Sequence, residues 1–200
     1  MSTSLPVFGR LRAARRAAAV AAVLAVAVSA AGCAPGNTPA SSSAPAAAGL
    51  APVPAADRKK APDLEGESLT GERLQLADHR GKVVVLNVRG PWCAPCRAEA
   101  PNLQKVYEDT REQGVVFLGI NTRDAGQDNA LAFEETYGMT YPSLWDPDGK
   151  QLLKFKGTIS PSSIPSTLVI DREGRIATSA MKALSEQELR SMLEPVLKEG

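Results

Sequence analysis

Beyond its first third, which shows no periodicity, the chain alternates apolar runs with helical segments. Val83-Val84-Val85-Leu86-Asn87-Val88 is a near-continuous β-branched run, as in strands buried on both faces. Val115 to Asn121 repeats that signature. Between them, Cys93 to Gln113 reads as a helix closed by Gly114, and Asp128 to Tyr137 as a second helix ended by Gly138. Ser143 to Asp146 predicts a short strand before the turn Asp146-Pro147-Asp148-Gly149. Ser166 to Ile170 and Arg175 to Thr178 flank Asp171-Arg172-Glu173-Gly174 and predict a hairpin. A last helix starts at Ser185, with Glu188 as the second half of a capping box. Ahead of all these, Leu64 to Leu76, broken by Thr70-Gly71, predicts a short hairpin. Such an alternation, closed by a hairpin and a helix, gives an α/β domain whose mixed central sheet is flanked by helices.

The first third cannot join that core. Residues 1–56 are dominated by Ala, Pro and Ser, and bury too little apolar surface to offset the entropy of ordering them. Arg10, Arg12, Arg15 and Arg16 precede an uncharged apolar run from Ala17 to Ala31. A membrane-spanning helix needs about 20 apolar residues, so this shorter run reads as the core of an export signal over residues 1–32. Its end, Ala30-Ala31-Gly32-Cys33, resembles a bacterial lipoprotein lipobox, with Ala30 where Leu is usual. That resemblance implies cleavage before Cys33 and lipidation of its sulfur; ordinary signal cleavage with a free Cys33 is the alternative. Two acyl chains would anchor stably where one is marginal. Residues 33–57 then form a disordered tether, Pro-rich and extended at about 3.1 Å per residue, and residues 58–200 form the folded domain. The expected location is extracytoplasmic, anchored to the cell membrane. The formal charge is +1, and no basic stripe runs through the folded part, which excludes nucleic-acid recognition as the main task.

The chemistry centres on Trp92-Cys93-Ala94-Pro95-Cys96, which follows a buried strand and opens a helix. Unpaired N–H groups and a partial positive charge at a helix N-terminus stabilise a thiolate. Cys93 is therefore the expected attacking sulfur, and Cys96, one turn on, the sulfur that resolves the mixed disulfide. A zinc site would need four ligands, and the folded part adds only His79 to the two thiols. No metal and no cofactor besides a redox-active disulfide is expected. His79 sits in a polar loop and receives no role, while Tyr141 and Trp145 read as core or groove wall.

With these residues in view, the stretch from Pro62 to Leu197 resembles the TlpA/ResA-type thioredoxin-like proteins, membrane-anchored disulfide reductases of bacterial envelopes. The likeness rests on Val83 to Val88, on Trp92-Cys93-Ala94-Pro95-Cys96-Arg97-Ala98-Glu99-Ala100-Pro101, on Gly119-Ile120-Asn121 and on Ile164-Pro165-Ser166-Thr167-Leu168-Val169-Ile170-Asp171. It implies a thioredoxin fold with a helix and strand inserted over Asp124 to Asp146. It also implies that Glu99 manages the proton of the buried cysteine. A purely local reading makes Glu99 a first-turn acid complementing the helix dipole. Asn87 stands where thioredoxins proper carry a buried acid. Pro101 should bend the helix. Ile164-Pro165 matches a cis-proline loop facing the cysteines, which with Trp92 would bind an extended substrate peptide.

Arg89 departs from the pattern, since the family usually places an aromatic there. As a cation four residues before Cys93 it is expected to lower that thiol's pKa, unless it turns outward into water. The resemblance implies exported proteins with disulfides as substrates, apocytochrome c during haem attachment among them, and an upstream membrane thiol as reductant. Two alternatives stand beside it: a peroxiredoxin-like thiol peroxidase, and a non-enzymatic lipoprotein binding metal or haem through its thiols.

Overall fold

The computed structural model describes residues 50–199. The export signal, Cys33 and most of the expected tether lie outside these residues. The elements run in the order β1 (Glu65–Glu67), β2 (Arg73–Gln75), β3 (Val83–Arg89), α1 (Ala94–Thr110), β4 (Val115–Thr122), α2 (Gln127–Thr136), β5 (Ser143–Asp146), α3 (Lys150–Leu153), β6 (Ser166–Ile170), β7 (Ile176–Ala180) and α4 (Glu186–Leu197). The first two strands pair as the antiparallel hairpin expected of Leu64 to Leu76. The other five form one mixed sheet in the order β5-β4-β3-β6-β7. β3 lies at its centre, parallel to β4 and antiparallel to β6, with every residue buried.

Two apolar layers sandwich this sheet. On one face Val83, Val85 and Phe117 pack against Leu103 and Val106 of α1, Phe133 of α2 and Leu189 and Met192 of α4; Tyr141 belongs to this layer. On the other, Leu86, Val88, Ile120 and Leu168 meet Leu64, Leu152 and Phe155, from the hairpin and the region of α3. The three longer helices thus share one face, and the second face is closed by shorter pieces. α1 runs continuously through Pro101 and tightens into a 3₁₀ turn, Arg111–Gln113, before Gly114 at φ 80°. The capping box of Ser185 and Glu188 is present at the start of α4.

One boundary moves. Residues 50–57, assigned by sequence to the tether, lie against the domain. Leu50 is buried, the Val53 N–H donates to the Ala177 carbonyl, and the Leu50 carbonyl accepts from the Thr178 hydroxyl. The physical reason is the free edge of β7, whose backbone groups need partners. Composition alone misses this, because the segment contributes backbone hydrogen bonds more than apolar bulk. Arg58, itself buried, fastens the same segment through ion pairs to Asp171 and Glu199.

Candidate active site

The site assembles where the C-terminal end of β3 feeds the N-terminus of α1. Cys93 is the N-cap of that helix, with extended backbone, and its Sγ accepts a hydrogen bond from the Cys96 N–H at 3.2 Å. Pro95, at the second helical position, lacks an N–H that would in any case have no helical acceptor. The two sulfurs form a disulfide with Cα atoms 5.2 Å apart. Both are covered in this form, Cys96 more deeply at 1% exposure against 4%. The Ile164–Pro165 peptide bond is cis, and the Ile164 carbonyl oxygen lies 3.6 Å from Cys93 Sγ. Trp92, half exposed, folds back so that its indole N–H reaches the Thr122 carbonyl at 3.4 Å. Gly90 permits this, since a Cβ there would collide with the indole.

Beneath the cysteines a polar row crosses the sheet. Its register aligns Ser143, Gly119, Asn87 and Thr167 on neighbouring strands. The Asn87 amide donates to Glu99 Oε1 at 2.8 Å and to the Thr167 hydroxyl at 3.1 Å. The backbone N–H of Leu184 donates to Glu99 Oε2 at 3.1 Å. Glu99, three residues past Cys96 on α1, is fully buried. Burial raises its pKa to about 7, although the bonds from Asn87 and Leu184 and the charge of Arg89 favour the carboxylate. A carboxyl so poised can take or give a proton near neutral pH.

Arg89 does not reach water, which removes the solvated alternative: it is 1% exposed. Its guanidinium lies over Gly119, pairs with Glu134 at 2.5 Å and donates to the Ser143 hydroxyl at 2.6 Å. The rings of Tyr141 and Phe133 flank it, with centroids 5.4 and 5.8 Å away. The side chain therefore crosses toward β4 and β5, while the sulfur of Cys93 faces the loop before β6. Its charge is paired with Glu134 and only acts at a distance on Glu99, and it is not aimed at the thiol by a hydrogen bond. Glu134, Ser143 and Gly119 were given no part in the site from the sequence; an arginine at the end of a largely apolar strand was the signal that a buried partner must exist.

Residues 58–179 match the model of the AhpC/TSA family. The chain belongs to the AhpC/TSA family. A relative of this AhpC/TSA protein, the thiol-disulfide oxidoreductase ResA of Geobacillus thermodenitrificans, is 32% identical over 136 residues, which are 68% of this chain and 75% of that protein. Among solved structures, a secreted thiol-disulfide isomerase from Corynebacterium glutamicum aligns with a TM-score of 0.70 and 35% identity, covering 74% of this chain and 90% of that one. A DsbF homologue from Corynebacterium diphtheriae aligns with a TM-score of 0.67 and 35% identity, over 72% and 90%. The thioredoxin-like fold and the ResA-type resemblance both hold. This AhpC/TSA protein is a thiol–disulfide oxidoreductase.

Proposed function

We propose that the protein reduces disulfides of exported proteins, apocytochrome c among them, while held to the outer face of the cell membrane through lipidated Cys33. The observation that carries the exchange chemistry is the sulfur of Cys93 capping α1 beside the cis-proline loop. In the dithiol form, the Cys96 N–H and the helix terminus stabilise the Cys93 thiolate. That thiolate attacks one sulfur of the substrate disulfide; a Cys93–substrate bond forms and the other substrate sulfur leaves as a thiolate. Cys96 then passes its proton to Glu99 and attacks Cys93 Sγ, and the second substrate sulfur departs. Two electrons have moved to the substrate, and the protein is left with the Cys93–Cys96 disulfide seen here. An upstream membrane dithiol resets it by the same steps in reverse. The backbone of Ile164 and the face of Trp92 receive the substrate chain as an added strand.

The test compares three activities of the purified protein: reduction of insulin disulfides with dithiothreitol as donor, peroxide consumption, and Cu(I) binding. Insulin reduction lost in Cys93→Ser, without peroxide turnover or tight Cu(I) uptake, is the expected outcome. Peroxide consumption at a comparable rate would favour the peroxidase reading and overturn this one.

A further inference from the structure

Beside Trp92, with no residue of the cis-proline loop in its lining, a groove of about 600 Å³ opens between the motif loop and α2. Its apolar lining includes Trp92, Ala125, Phe133 and Tyr137, and Arg97 and Arg123 supply its cations. Arg123 stacks its guanidinium over the Trp92 indole at 5.3 Å. It holds that place with φ at 53°, a left-handed conformation that non-glycine residues seldom adopt. Arg97, on the first turns of α1, donates to the Pro91 carbonyl at 2.6 Å.

Among the described residues neither guanidinium forms an ion pair. The one acid in the groove, Asp124, is committed to its own loop: its carboxylate accepts from Asn121 at 3.2 Å, Asn129 at 3.4 Å and the Gly126 N–H at 3.5 Å. The groove therefore offers two guanidiniums without an ion-pair partner against one carboxylate already filled by neutral donors, an excess of one positive charge over an apolar floor that is continuous through Trp92 with Cys93.

We infer that this groove is a specificity subsite for acidic side chains of the substrate polypeptide, close in sequence to the cysteine that Cys93 attacks. The inference rests on the disulfide-exchange reading and names which disulfides are preferred. A substrate sulfur bonded to Cys93 brings the adjoining residues across Trp92, where successive residues advance about 3.3 Å. A Glu or Asp in that stretch meets planar guanidiniums that match a carboxylate in a fork geometry. An apolar neighbour settles on Phe133 and Tyr137. A basic segment is repelled.

The experiment measures kcat/KM for three synthetic peptides, each with one intramolecular cystine flanked by Glu, Gln or Lys, with dithiothreitol as donor. Each partly exposed Arg–carboxylate pair supports a preference of about two- to fivefold, so Glu should exceed Lys by roughly fivefold or more at low salt. The ratio should shrink in 0.5 M NaCl. Arg123→Glu should abolish or invert the Glu-to-Lys ratio, and Arg123→Lys should keep most of it. Taking the ratio within each variant cancels any effect on the thiols. Equal turnover of the three peptides, or an unchanged ratio in Arg123→Glu, would overturn the subsite and leave the exchange chemistry standing. Turnover of none of them would refute the exchange reading, and the subsite with it.

Discussion

Replacing Asn87 by Leu removes the donor that holds one oxygen of Glu99 while keeping the volume of the side chain. The bond is 2.8 Å long, fully buried, and made to a carboxyl whose pKa lies at about 7. A hydrogen bond to a charged group contributes about 1.5–3 kcal/mol. At about 1.4 kcal/mol per pH unit, its loss should raise the pKa of Glu99 by roughly one to two pH units. The assay loads Cys93 with 2-nitro-5-thiobenzoate and follows its release by Cys96 in a stopped-flow instrument from pH 5 to 10. In the wild type the rate should climb through an inflection near pH 7, as the ionised carboxylate becomes able to accept the Cys96 proton. The inflection should move up by one to two pH units in Asn87→Leu and vanish in Glu99→Gln. An unmoved inflection in Asn87→Leu, or a wild-type profile in Glu99→Gln, would refute the assignment of the proton to this carboxyl.

Two further outcomes follow from the same geometry and a third from the sequence around Cys33. Because the pKa of Glu99 in the folded protein, about 7, lies above its usual value of 4.5, its stability contribution is complete below pH 4.5 and lost as pH rises through 7. Urea unfolding of the oxidised protein should show a fall of about 3 kcal/mol over that window, flattened in Glu99→Gln. Arg89→Gln leaves Glu134 without its cation and should cost roughly 3 kcal/mol, part of it recovered by adding Glu134→Gln; the alkylation pKa of Cys93 should rise by less than about one pH unit, because Glu134 already offsets the charge. Mass spectrometry of the native protein should find an acylated N-terminus at Cys33, and a mature form with unmodified Cys33 would remove the anchor.

The sheet was legible because β3 and β4 are continuous apolar runs with no competing helical period, and because Gly114 and Gly138 punctuate the helices. α3 was not, since four residues carry too little periodicity to register. At the site, Cys93, Cys96 and the cis-proline loop stood out through spacing and family likeness. Asn87 stood out by the same likeness, but its alignment into a polar row beneath them did not. Nothing local assigns Gly119 or Ser143 a place in the site, and only the strand register brings them alongside Asn87 to make room for a buried guanidinium. The pairing of Arg89 with Glu134 joins residues 45 positions apart, which no local pattern encodes. Arg123 was missed for a similar reason: its place beside the pair depends on the turn at the end of β4.

The division of labour between the two sulfurs is the centre of the account, and trapping tests it most directly. Cys96→Ser and Cys93→Ser proteins are each incubated in reduced form with a disulfide-bonded substrate, quenched with acid and alkylated, and their mixed disulfides are quantified by non-reducing electrophoresis and mass spectrometry. Cys93 caps the helix and lies 3.6 Å from the Ile164 carbonyl oxygen of the cis-proline loop, and Cys96 is the more deeply covered of the two, at 1% exposure against 4%. Cys96→Ser should therefore accumulate adducts through Cys93, because attack proceeds and resolution cannot. Cys93→Ser should accumulate far fewer. Equal trapping by the two variants, or adducts found mainly on Cys96, would contradict the account.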